Sequence, residues 1–240
     1  MKHISVLLIC VLLLGAGSAS YAVETVNRAT GLPGMPSADV IPYKEYAMAL
    51  DYGGRLPEGA KTLTNTLTTY KLDLGMFPGV EAGIVGGTDD LGKYKEGVFL
   101  NLKLSLSAAD NSSFPLKLAL GAENITSAND TNVYMVATKY LNFYGPKSLH
   151  FGFMGDFPGE KFRPLGMLGM RSPFLGQNIY LLGDLLAGET VFQVDAGIRI
   201  YLLPGLAINI TGLNLAKNPD ETMPRTPKSV YAGISWQNPF

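Results

Sequence analysis

Thr190-Val-Phe-Gln-Val-Asp-Ala-Gly-Ile-Arg-Ile-Tyr-Leu202 is the stretch whose reading decides the fold. Phe192, Val194, Ala196, Ile198, Ile200 and Leu202 share one parity; Gln193, Asp195, Gly197, Arg199 and Tyr201 share the other. Successive side chains of a strand point to opposite faces, so one face here is wholly apolar and the other carries both charges. A helix would scatter Asp195 and Arg199 among the aliphatics.

The pattern recurs along the chain. Alternation predicts strands near 45–52, 61–74, 80–85, 97–106, 115–123, 132–141, 149–156, 162–170, 179–185, 190–202, 206–211 and 230–237, about twelve in all. Gly, Pro, Asn and Asp punctuate the gaps, as in Phe77-Pro78-Gly79, Tyr144-Gly145-Pro146 and Leu203-Pro204-Gly205. Two expected strands, near 149–156 and 162–170, are rich in glycine.

At the N-terminus, Lys2 and His3 precede an apolar run from Val6 to Leu14, and Ser20-Tyr21-Ala22 fits a small-x-small cleavage site. The expectation is a cleaved signal peptide over 1–22, a periplasmic lead-in over 23–43 and a barrel over 44–240. The apolar run is too short for a spanning helix. Cys10 is the only cysteine and lies in the leader, so a disulfide framework and a thiol nucleophile are both excluded from the mature chain. Charged residues make up 16% of the chain, below the roughly 25% of soluble domains. A net charge of −1 offers no electrostatic case for nucleic acid.

These features together predict an all-β fold, an antiparallel transmembrane β-barrel of about twelve strands following a cleaved signal peptide. The alternative is a soluble barrel or sandwich with its apolar face inward. Four features favour the membrane. The apolar parities of most strands carry no charge, as a lipid face requires. The opposite parities hold Lys71 with Asp73, Asn101 with Lys103, Lys117 with Glu123, and Asp195 with Arg199, the expected lumen lining. Tyr46, Tyr52, Tyr70, Phe77, Tyr134, Tyr140, Trp236 and Phe240 stand near strand ends, where interfacial girdles lie. The stretch from Val230 to Phe240 resembles the C-terminal insertion signal of outer-membrane barrels, which implies the barrel-insertion machinery and the outer-membrane lipid bilayer as partners. An even strand count would bring both mature termini to the periplasm.

Thr30-Gly-Leu-Pro-Gly-Met-Pro-Ser-Ala-Asp-Val-Ile-Pro42, followed by Asp51-Tyr52-Gly53, resembles the opening of the YjbH-like outer-membrane proteins linked to exopolysaccharide production. The resemblance covers about a tenth of the chain, with Ser37 in place of Thr and Ile41 in place of Leu. It implies a barrel in the outer membrane and polysaccharide as a partner. Read physically, the same stretch is a capping segment that plugs the periplasmic mouth or pairs with strand edges.

Signals for chemistry are sparse. His150 is the one histidine after the leader, and Ser148 shares its face if that strand starts early. No Gly-x-Ser-x-Gly elbow accompanies them, and an ordinary polar-face histidine is the expected reading. Zinc would need His or Cys clusters, which the sequence lacks. Asp130-Thr131-Asn132 begins like a calcium loop but continues wrongly, and Asp89-Asp90 lacks the rest of a cage. The expectation is a non-enzymatic barrel without cofactor or metal: a pore or export accessory, or alternatively a filled structural or assembly barrel. An outer-membrane hydrolase is the remaining class.

Overall fold

The computed structural model describes residues 24–25, 28–57, 62–89, 97–106, 116–127, 131–141, 147–159, 161–216 and 228–239. The expected leader, Asp130, the Tyr144-Gly145-Pro146 turn and Phe240 lie outside the described residues. Two short strands, β1 (Glu24–Thr25) and β2 (Arg28–Thr30), pair with each other. Then come β3 (Glu45–Arg55), β4 (Thr64–Phe77), β5 (Val80–Asp89), β6 (Phe99–Ser105), β7 (Leu116–Glu123) and β8 (Thr131–Leu141). The chain continues through β9 (Lys147–Phe157), β10 (Arg163–Leu175), β11 (Ile179–Gly188), β12 (Phe192–Leu203), β13 (Leu206–Leu213) and β14 (Ser229–Pro239).

Strands β3 to β14 form one closed barrel, each antiparallel to its chain neighbour. β14 closes it on β3, with Val230 opposite Gly54 and Pro239 opposite Glu45. Closure satisfies every strand's hydrogen-bonding edge, which an open sheet of this size could not do. The even count sets the start of β3 beside the end of β14. Tight turns join β4 to β5 and β12 to β13, where Gly79 (φ 77°) and Gly205 (φ 81°) take left-handed backbone that a side chain would strain.

The apolar parity faces out. In the opening stretch, Ala196, Ile198 and Leu202 are exposed while Asp195, Gly197 and Arg199 are buried. Leu100, Leu102 and Leu104 of β6 are exposed, whereas Asn101 and Lys103 are buried. The exterior is an apolar belt that includes Phe153 and Ile234, 69% and 56% exposed. A soluble barrel has the reverse arrangement.

Two expectations are corrected. In β8 the face of Tyr134, Val136, Thr138 and Tyr140 turns inward, while Val133, Met135 and Lys139 turn outward. Both parities of this strand are largely apolar, so alternation cannot orient it. Lys139, near the strand end, is exposed and can lift its ammonium to the rim. In β10 the strand runs on to Leu175, past the expected end at 170. A register shift between Pro173 and Leu175 accommodates the proline, which has no N–H for the ladder.

Candidate functional site

Inside the barrel stands a finger made of residues 30–42. Leu32, Met35, Ala38 and Ile41 are buried, as are Thr30, Ser37 and Asp39. The finger folds on itself: Leu32 N–H donates to Met35 O at 2.9 Å, Ser37 N–H donates to Thr30 O at 3.1 Å, and Gly31 bridges Pro36. Gly31 has no room for a Cβ, which would lie 2.4 Å from Met35 O. Its stem is at the barrel end where β3 begins, and its tip reaches mid-depth.

The stem is held by polar groups. Glu81 on β5 accepts the Ile41 N–H at 2.9 Å and the Thr30 hydroxyl at 3.0 Å. Lys103 on β6 donates to Thr30 O at 2.9 Å and Asp39 O at 3.0 Å, with its ammonium 3.6 Å from Glu81. Lys117 on β7 donates to Asp39 Oδ1 at 3.0 Å, and the Tyr140 hydroxyl donates to the same oxygen. Burial alone would raise the Asp39 carboxyl; Lys117, the Tyr140 hydroxyl and Arg171 outweigh it and hold the group below its ordinary 3.8. The Ala38 N–H donates to Thr138 Oγ1 at 2.9 Å.

The tip meets a different wall. Leu32 and Met35 pack with Val136, Met154, Leu165, Met167, Leu182 and Leu186 in one apolar cluster. Gly34 N–H donates to Asp184 Oδ2 at 3.0 Å, and a Cβ at Gly34 would sit 1.9 Å from Asp195 Oδ2. Near the far end of the strands, Leu67, Val85, Phe99 and Tyr231 form a second apolar cluster within the barrel.

All but one of the expected lining residues are buried within this interior. Lys71, Asp73, Asn101, Lys103, Glu123, Asp195 and Arg199 are buried, and Lys117 is exposed at the stem end. Their partners differ from those the sequence spacing implies. Same-face neighbours on one strand are about 7 Å apart, so partners across the ladder compete with them. Lys71 Nζ lies 3.1 Å from Asp51 Oδ2 on β3, and Lys117 pairs with the finger. Arg199 Nε donates to Asn209 Oδ1 at 2.7 Å, and Asn209 Nδ2 to Ser235 Oγ at 2.9 Å. Asp195 accepts from Gln193 Nε2 at 2.6 Å and from the Asn214 N–H at 2.8 Å.

Of the expected girdle, Tyr52, Tyr70, Phe77 and Trp236 are exposed on the outer face, and Tyr46 meets Trp236 edge-on at 6.3 Å. Tyr134 and Tyr140 belong to the interior instead, with the reversed face of β8. Ser148 and His150 do share a face, because β9 begins at Lys147. Ser148 Oγ is 2.8 Å from His150 Nε2, and His150 Nδ1 is 2.9 Å from Thr138 Oγ1. The pair is buried under the finger, and a hydroxyl rather than a carboxylate faces Nδ1. Among the described residues no group of three or more His, Cys, Asp or Glu could hold a metal ion.

The sequence pattern missed Glu81, Thr138 and the inner apolar wall. The one legible sign was the finger itself, a stretch dense in Gly and Pro yet rich in large apolar side chains.

No family model matches the sequence, and no curated protein matches it. Solved structures do share its fold. A KdgM porin is similar over 79% of this chain and 98% of its own, with a TM-score of 0.55 and 9% identity. A KdgM porin in complex with disordered oligogalacturonate is similar over the same 79% and 98%, with a TM-score of 0.53 and 8% identity. At such identity the likeness is one of fold: this chain has a porin-type closed barrel.

Proposed function

We propose that this chain is an outer-membrane β-barrel closed at rest by its own N-terminal finger, and that it serves envelope transport when the finger withdraws. The exposed apolar belt supports the membrane reading, since each cation at mid-bilayer on that face would cost ~2–4 kcal/mol. The observation that carries the gate is the polar stem. The stem is held by the ion pair of Asp39 with Lys117 and by hydrogen bonds to the wall ions Glu81 and Lys103. Burial of those ions costs several kcal/mol each, so these groups gain hydration when the finger leaves and suit a contact that must release. The KdgM complex supports a saccharide as the solute, in keeping with the exopolysaccharide link that the YjbH-like resemblance implies. Both termini would then lie in the periplasm. No catalytic role is assigned to Ser148 and His150.

The apolar contact of Leu32 and Met35 with Met167, Leu182 and Leu186 favours a second reading, a permanently filled structural or assembly barrel. Conductance in planar bilayers separates the two. Wild-type protein is expected to be closed with rare openings, and Glu81→Ala, which strips the acceptor from Thr30 and Ile41, is expected to conduct steadily. A folded Glu81→Ala barrel that stays silent favours the second reading.

A further inference from the structure

We infer that the seat filled by Asp39 is a carboxylate-binding site, and that the finger occupies it in place of the carboxylate of an acidic saccharide. The inference deepens the proposed transport reading and rests on it. Three wall residues, Lys117, Tyr140 and Arg171, build the seat at the stem end of the barrel. Lys117 donates to Asp39 Oδ1 at 3.0 Å, and the Tyr140 hydroxyl donates to that same oxygen. The Lys117 ammonium also lies over the Tyr140 ring, 5.1 Å from its centroid. Arg171 on β10 adds its field at Asp39 and has a buried Nε that makes no hydrogen bond among the described residues. Its guanidinium lies 5.5 Å from the centroid of the Tyr180 ring, which meets Tyr201 edge-on at 5.7 Å.

A lysine and a phenol donor on one carboxylate oxygen, with an arginine adding its field from β10, exceed what anchoring a loop requires. All three charged or donor groups, Lys117, Tyr140 and Arg171, belong to the wall, so the seat persists if the finger leaves. The group it holds in the resting protein is a carboxylate, so a carboxylate is the anion its donors are already placed for. Tyr180 and Tyr201 are only partly buried and offer flat apolar faces next to Arg171. Such faces suit the C–H surface of a pyranose, so the favoured ligand is a uronate rather than an acidic peptide. A site already filled by the protein's own carboxylate binds an external one more weakly, by the fraction of time the seat is free.

The test is calorimetric titration of full-length protein in detergent micelles with trigalacturonate, maltotriose and triglutamate. Asp39→Asn is expected to bind trigalacturonate at least about tenfold more tightly than wild type, because the seat is vacated. Adding Lys117→Gln to that variant is expected to abolish the gain. Equal affinity in wild type and Asp39→Asn overturns the proposal, as does equal binding of maltotriose or triglutamate. Should Asp39→Asn not fold, Asp39→Ala decides by the same comparison with wild type: it is expected to show the same gain, and unchanged affinity overturns the site. Failure of the transport reading looks different. An Asp39→Asn barrel that binds but never conducts keeps the site and rejects the gate, whereas one that conducts without binding rejects the site alone.

Discussion

Lys103 and Thr30 meet inside the barrel although 73 positions separate them, the lysine ammonium donating to the threonine carbonyl at 2.9 Å. The contact ties the finger's first residue to the wall. It places a fully buried cation where only finger and wall groups can satisfy it.

Lys103→Met is therefore expected to destabilise the folded protein by about 3–5 kcal/mol, since Glu81 keeps a buried charge without its cation. Lys103→Met with Glu81→Gln is expected to recover part of the loss. Recovery stays incomplete because Thr30 and Ile41 still lose a charged acceptor. Urea-unfolding midpoints in micelles, read by the shift between folded and unfolded gel mobility, measure both. A double variant no more stable than the single one would mean that the pair is not coupled.

Asp39 predicts a pH dependence. Its carboxyl is held below 3.8 in the folded protein, so the stabilisation is complete above that value and is lost as the pH falls through the lower folded value. The groups facing it are Lys117, Tyr140, Arg171 and His150. Wild-type conductance is expected to rise as the pH falls below about 3.8, and Asp39→Asn is expected to conduct at neutral pH. Wild-type conductance that is flat from pH 6 to 2 would count against Asp39 as an anchor.

Gly34 tests the finger's tip. A methyl there would sit 1.9 Å from Asp195 Oδ2 and 2.7 Å from Asp184 Oδ1, so Gly34→Ala is expected to drive the tip from its place. Gly166 is the control, because its added Cβ finds Ala187 O at an ordinary 3.7 Å. Limited proteolysis from the stem side should release the finger of Gly34→Ala and leave that of Gly166→Ala protected. Equal protection would place the tip elsewhere.

Ile198 tests the exterior. It is exposed at the middle of β12, and Ile198→Lys is expected to cost ~2–4 kcal/mol for folding into vesicles. On a soluble barrel the same change would cost little and raise solubility. Parallel refolding of wild type and variant with and without lipid distinguishes the two.

Much of the barrel was legible in the chain. The strand ending in Leu202 was oriented correctly because Asp195 and Arg199 mark one parity and six apolar residues the other. Leu100, Leu102 and Leu104 against Asn101 and Lys103 were just as clear. β8 was not, because its inner face meets the apolar tip of the finger rather than water. Tyr134 and Val136 are therefore as apolar as Val133 and Met135. Ion pairs were not legible either: Lys71 has Asp73 two positions away but turns to Asp51, which only strand pairing brings near.

Alternation by itself determined the strands and which residues share a face, because side-chain direction along a strand depends on parity alone. The uncharged apolar parities, the charged opposite parities and the aromatic strand ends then pointed the apolar face outward. Tertiary structure alone decided that the lumen is occupied. Residues 30–42 carry no strand or helix period. Their place depends on Glu81, Lys103, Lys117 and Asp184, which stand on four different strands and converge only when the barrel closes.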